Sequence, residues 1–133
     1  MESSDSRYVS FSLAGVFFEY DEEKNQANIE KHGISFKSAA RVFFDYDRIE
    51  YYDEKESREE DRYDIIGDLS AGSISLFGSN DLTIGSIGKN DVVFVVYTER
   101  VKRIEEDKEI EVIRLISARY ATNFERGLYY GKY

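Results

Sequence analysis

"FEYDEEKNQANIEKHGISFKSAARVFFD", residues 18–45, decides how this chain folds. It opens on the end of a short strand, "VFFEYD" (16–21), that runs into Asp21, a suitable helix N-cap. "EEKNQANIEKH" then predicts a helix of about ten residues whose apolar stripe is thin. Gly33 has the position of a helix C-cap, because glycine enters the left-handed region without a Cβ penalty. Ser35 suits the cap of a second helix, "SFKSAARVFFD". There Phe36, Ala39, Ala40 and Phe43 recur at i, i+3, i+4 and i+7 and form a core-facing stripe. Two helices meet at "HGIS" with almost no linker.

Beyond Asp45 the pattern turns to strands. "RIEYYDE" (48–54) and "DRYDIIG" (61–67) flank the charged loop "KESREE". "VVFVVYTER" (92–100) is β-branched and aromatic with apolar residues on both faces, which predicts a central strand. "IEVIRLISARY" (110–120), taken as straight, places Val112, Arg114, Ile116 and Ala118 on one face and Ile113, Leu115, Ser117 and Arg119 on the other. Thr122 and Glu125 have capping-box spacing, so a terminal helix is expected. The Gly/Ser/Asn-rich segment 68–91 reads as an insertion or elongated hairpin, and 1–15 as a flexible or extra N-terminal segment of one domain spanning 1–133.

Composition narrows the chemistry. A length of 133 residues with 11 Tyr and 9 Phe supports one core. Cysteine is absent, which excludes disulfides, thiolate nucleophiles and thiolate metal sites and is compatible with a cytoplasmic location. One histidine excludes HExxH and multi-histidine zinc centres. The "GK" at 88–89 fails as a phosphate loop, since Thr83 and Asn90 stand where Gly and Ser/Thr are required. The acids Glu59, Glu60 and Asp61 are expected to face water rather than a metal. No signal peptide or membrane-spanning run is read, so a soluble protein is expected. A net charge of -9 argues against a polyanion partner, although residues 92–133 hold 8 Lys/Arg against 7 Asp/Glu.

Several of these segments, in this order, resemble the BrnT family of type II toxins. Residues 18–45 are similar to its opening F-E-W/Y-D … K-H-G-V/I-S-F … A … F-x-D. "EDRYDIIG" resembles E-x-R-Y/F-x-x-I-G, and "VVFVVYTER" a strand ending in T-x-R. "IRLISARYATNFERGLYY" resembles I-R-I-I-S-A-R-x-A-x-x-x-E-R-x-x-Y. The resemblance implies an α+β, RelE-like fold: two N-terminal helices packed on a small, mainly antiparallel sheet, with a C-terminal helix. It implies a cytoplasmic endoribonuclease that cuts cellular RNA without metal or other cofactor. A BrnA-like ribbon-helix-helix antitoxin would neutralise it, with DNA met only through that antitoxin and no membrane involved. Departures are the long 68–91 segment, the lengthened "VKRIEEDKEIE" turn, Tyr120 where the family often has a basic residue, and the overall acidity.

Metal-free RNA cleavage needs a proton acceptor, a proton donor and cations around the phosphate. The matched motifs nominate Lys31, His32, Glu60, Arg62, Arg100 and Arg119 as catalytic, and Arg114 and Tyr129 as RNA-binding. Arg100 and Arg119 are poor proton shuttles but fork well onto phosphate oxygens, so they are expected to share one concave positive patch. The alternative for each is an ion pair with a carboxylate. Glu60 serves either as a base or in a loop salt bridge, and Tyr129 either stacks on a base or packs the last helix. An unperturbed histidine has a pKa near 6.5, so the residue type at position 32 suits acid–base chemistry. Lys31 and His32 equally suit the last turn of a helix, where cations favour the dipole. A second class of function also fits: a non-catalytic interaction module that keeps the toxin fold.

Overall fold

The computed structural model describes residues 7–78 and 91–131. Among them are six strands: β1 (Tyr8–Leu13), β2 (Val16–Asp21), β3 (Ile49–Tyr52), β4 (Tyr63–Asp68), β5 (Val92–Glu105) and β6 (Lys108–Tyr120). The α-helices are α1 (Glu22–His32), α2 (Phe36–Ala39), α3 (Leu69–Phe77) and α4 (Asn123–Tyr129), and a 3-10 segment, Ala40–Phe44, continues α2. The strands form one mixed sheet in the order β1-β2-β6-β5-β4-β3. Neighbours run antiparallel except β2 and β6, which are parallel. The α+β class stands, but the sheet is larger than expected and two strands precede the first helix.

Local chemistry explains the helix boundaries. Asp21 accepts from the backbone N–H of Glu23 at 2.9 Å and of Lys24 at 3.4 Å, opening α1, and Gly33 closes it at φ 75°. Ser35 accepts from Ser38 N–H at 3.1 Å to start α2. The second helix then tightens after only four residues into the 3-10 segment, which packs against β4 and α3. At Gly72 of α3 a Cβ would stand 2.0 Å from the Arg41 carbonyl oxygen, so only glycine lets the two backbones approach this closely.

Two apolar clusters lie on opposite faces of the sheet. Phe18, Phe36, Val42, Ile65, Val95 and Leu115 belong to the larger, beneath α2 and the 3-10 segment. Ile66, Val92 and Ala121, with Phe94, Leu128 and Tyr129 against them, form the smaller, where α4 covers one end of the other face. The remainder of that second face is called the open face below.

Three expectations are corrected. Residues 8–13, placed in a flexible or extra segment, form β1, joined to β2 by a two-residue turn in which Ala14 (φ 49°) and Gly15 (φ 84°) both have positive φ. That is the backbone of a tight hairpin, here made without the usual Asn. The start of the 68–91 segment is not hairpin but α3, capped by Asp68 accepting from Ala71 N–H at 3.0 Å; residues 79–90 lie outside the described residues. Finally, β6 is not straight. An irregularity opposite Val96 and Tyr97 makes Tyr97 pair with Leu115 and Val96 with Ser117. The extra residue reverses the alternation, so Ile113, Leu115 and Ala118 all face the larger cluster.

β2 stops pairing with β6 at Tyr20 and Leu115, leaving the β6 edge without a strand partner near Ala118. Asn28 of α1 fills the gap. Its amide donates to the Ala118 carbonyl at 2.8 Å and the Ile34 carbonyl at 2.9 Å, and its oxygen accepts from Ala118 N–H at 3.2 Å. This explains why a helix with so thin an apolar stripe docks: its buried residues are Asn25 and Asn28. Asn28→Ala orphans buried backbone groups and is expected to lower stability by about 1–3 kcal/mol, read from urea unfolding.

Candidate functional site

The expected site residues fall into three places. The first lies where β4 begins and β5 leaves the sheet. The loop before β4 is closed on itself: Arg62 N–H donates to Ser57 Oγ at 2.8 Å, and Thr98 Oγ1 donates to the Asp61 carbonyl at 2.7 Å. This fixes Glu60 between two guanidinium groups. Arg62 reaches Glu60 Oε2 at 3.2 Å and Arg100 reaches Oε1 at 3.6 Å. A cleft of about 360 Å³ opens here, lined by Glu60, Asp61, Tyr63, Thr98, Glu99 and Arg100. A carboxylate that can accept a proton thus stands between two cations that can hold a phosphate. The Arg100 side chain is 42% exposed, so its ion pair is weak, worth about 0–1 kcal/mol, and yields readily to a ligand.

The second place is the opposite end of β6. Arg119 donates to both oxygens of Glu125, at 2.8 and 2.9 Å, and its guanidinium carbon lies 4.3 Å from the Phe94 ring centroid. Glu125 also completes the capping box of α4 with Thr122. Burial pushes the Glu125 carboxyl up, but the hydrogen bonds from Arg119 and Thr122 outweigh it and leave its pKa below the ordinary value. Arg119 pairs across the ladder with Phe94, whereas Arg100 pairs with Val112. Six residues along β5 correspond to about 20 Å. The two arginines therefore do not share one patch, each faces a carboxylate, and the expected clamp is corrected.

Arg114 and Tyr129 are also engaged by the protein itself. Arg114 Nε donates to Glu19 at 2.6 Å, with its guanidinium 4.2 Å from the Tyr8 ring centroid. Tyr129 packs in the cluster under α4 and donates its hydroxyl to Asp45 at 2.6 Å. Burial and that bond to Asp45 push the phenol pKa strongly up. Asp45, almost fully buried, also accepts from Asp68 N–H at 2.8 Å, so it joins the 3-10 segment, β4 and α4.

Lys31 and His32 occupy the third place, the last turn of α1. That helix packs against β2 and β6, away from the Glu60 cleft. The structure brings together Glu60, Arg62 and Arg100 and separates them from Lys31, His32 and Arg119.

Two buried acidic positions were not singled out from the sequence. Glu19 is entirely buried on the open face between Lys102 and Arg114. The alternation of Phe18 and Tyr20 into the core already assigns Glu19 to the opposite face, but not its burial. Asp64 of β4 is 3% exposed, and its Oδ1 has no hydrogen-bond partner among the described residues. Its pKa is pushed up to about 7, first by burial and then by the neighbouring Asp53, with Arg119 opposing. Among the described residues no group of three or more His, Asp or Glu is arranged to hold a metal ion.

Fold and site together define a small α+β protein with a carboxylate–guanidinium cleft at one end of a mixed sheet. Residues 20–77 match the family described as "Ribonuclease toxin, BrnT, of type II toxin-antitoxin system". Over this span, less than half of the chain, the sequence is similar to that family, whose description places its members in toxin-antitoxin systems. The match runs from β2 through α3 and includes Lys31, His32, Glu60 and Arg62, while Arg100, Arg114, Arg119 and Tyr129 lie beyond it. No curated protein matches the chain. Among the described residues no helix is long and apolar enough to cross a membrane.

Proposed function

We propose that this chain is a cytoplasmic type II toxin acting as a metal-independent endoribonuclease, with its cutting site at the Glu60 cleft. A BrnA-like ribbon-helix-helix antitoxin blocks it, and DNA is reached only through that antitoxin. The observation that carries this reading is Glu60 set between Arg62 and Arg100 at the rim of an open cleft. Glu60 takes the proton of a ribose 2′-OH, the 2′-oxygen bonds to its own phosphorus, and the bond to the 5′-oxygen breaks. Arg62 and Arg100 turn from Glu60 to the phosphate oxygens as charge develops there. The leaving oxygen takes its proton from water in the cleft. The products are a 2′,3′-cyclic phosphate and a 5′-hydroxyl.

Induced expression with total RNA resolved on a gel tests this. Wild type arrests growth and degrades RNA. Glu60→Gln and Arg100→Ala, at equal protein level, cut about 100-fold more slowly. Arg119→Ala keeps cutting wherever it stays folded. Normal growth and intact RNA from folded wild type would instead support a non-catalytic module that retains the toxin fold. That reading is favoured by the net charge of -9 and by the carboxylate facing each of Arg62, Arg100, Arg114 and Arg119.

A further inference from the structure

One cleft departs from the acidic character of the rest. It has a volume of about 420 Å³ and lies between the α1–α2 junction and α3, on the face of the larger core. The hydroxyl-bearing Ser35, Ser38, Ser73 and Tyr120 and the guanidinium-bearing Arg41 line it, over an apolar floor, and none of its lining residues is acidic. The Glu60 cleft, by contrast, is lined by three carboxylates, Glu60, Asp61 and Glu99.

Arg41 is the unusual member. Its NH1 donates to Ser73 Oγ at 3.0 Å, and its guanidinium carbon lies 5.2 Å from the Phe77 ring centroid. It has no carboxylate partner among the described residues, unlike Arg48, Arg62, Arg100, Arg114 and Arg119. A guanidinium carries five N–H donors, and here Ser73, itself fully buried, fixes its position through one of them. Tyr120, a 43% exposed residue, lines the same cleft. Gly33, also in the lining, directly follows Lys31 and His32, two more side chains without a carboxylate partner among the described residues.

We infer that this cleft binds a nucleotide phosphate, with Arg41 holding the phosphate and Tyr120 stacking on the base. A planar ring beside a guanidinium fork with donors unpaired among the described residues fits a nucleotide, because every base offers a stacking face and every phosphate accepts paired N–H bonds. The site is distinct from the Glu60 cleft, standing about 20 Å away along the β5–β6 ladder. The nucleotide comes from one of two sources: a strand of RNA, or a free mononucleotide. The RNA source rests on the ribonuclease reading.

Binding is measured by fluorescence anisotropy with a labelled 2′-O-methyl RNA ten-mer, which has no free 2′-OH and cannot be cut, and by calorimetry with uridine 5′-monophosphate. Tyr120→Ala weakens binding about tenfold. Arg41→Gln, which keeps a donor for Ser73, also weakens it about tenfold and reduces the salt dependence of RNA binding by about 0.7 in log–log slope. Circular dichroism checks that both variants fold. Binding of the ten-mer alone identifies an RNA strand as the ligand, and binding of the monophosphate identifies a site for free nucleotide. Failure of both probes to bind, or equal binding by wild type and both folded variants, overturns the inference. Cleavage of unmodified RNA is scored separately: intact RNA with sensitive binding refutes the cutting site and leaves this one standing.

Discussion

Glu19→Ala lowers the free energy of unfolding by about 3–5 kcal/mol in urea titrations at pH 7. The carboxylate is fully buried, yet it receives Lys102 Nζ on one oxygen and Arg114 Nε, at 2.6 Å, on the other. Removing it leaves two cations without a counter-charge, one of them with a side chain only 16% exposed. The group also joins four strands: Glu19 on β2, Arg114 on β6, Lys102 on β5 and, beneath the guanidinium, Tyr8 on β1. It therefore sits where the parallel β2–β6 pair must be held in register. Burial pushes the Glu19 pKa up, but the hydrogen bonds and charges of Lys102 and Arg114 win and hold it below the ordinary glutamate value. A folded pKa below the unfolded one gives stability that is present above the unfolded pKa and lost as pH falls through the folded one. Wild type should lose this part of its stability below the ordinary glutamate range, and Glu19→Gln should flatten that part of the pH profile. Replacing Glu19, Lys102 and Arg114 together by methionine removes the stranded charges and should be far milder than the single change. A loss below about 1 kcal/mol for Glu19→Ala would show that the triad does not hold the sheet.

What the sequence made legible was local. Asp21, Gly33, Ser35 and the Thr122–Glu125 box announce helix ends through their own hydrogen-bonding chemistry, and the structure uses each of them as a cap. The apolar run at 92–97 likewise announces a strand covered on both faces, and β5 sits inside the sheet. Pairing was not legible. That β2 lies parallel to β6, about ninety residues later, depends on which edges meet, and no local pattern encodes it. The β6 irregularity was hidden for a related reason: alternation predicts faces only in a straight strand.

The candidate site was partly legible for the same physical reason. Glu60, Arg62 and Arg100 could be proposed as residues, but their meeting depends on β4 pairing with β5 so that Tyr63 lies opposite Tyr97. Arg119 looked like a phosphate ligand until the Glu125 of its own helix cap was seen to occupy both ends of its fork. Arg41 carried no signal at all, since an arginine on a short helix gives no hint that it will lack a carboxylate partner among the described residues.

Asp64→Asn is expected to raise stability at pH 8 by about 2–4 kcal/mol while changing it little at pH 4. Asp64 lies opposite Tyr51 in the β3–β4 ladder, with Asp53, Arg119 and Glu125 as the charged groups around it. Burial and Asp53 push its pKa up to about 7, against the small pull of Arg119, and burial raises the Tyr51 phenol to about 12. A carboxyl moved from its ordinary value to about 7 differs by roughly 4 kcal/mol between its protonated and ionised forms. The sign is opposite to that of Glu19: a raised folded pKa gives stability fully present below the unfolded pKa, near 4, and lost as pH climbs to about 7. Asparagine has the shape of the neutral acid, keeps a donor for Asp53 and cannot ionise, so it retains at pH 8 what aspartate keeps only in acid. Urea titrations at pH 4, 6 and 8 should show the variant pulling away from wild type as pH rises, and parallel curves would mean that Asp64 carries no buried charge. The same variant asks why an acid is kept there. A side chain that weakens the fold at neutral pH is expected to be retained for activity. Under the proposed toxin reading, Asp64→Asn protein that is more stable but no longer arrests growth would place this acid pair in that activity, and unchanged arrest would leave it a cost of the fold.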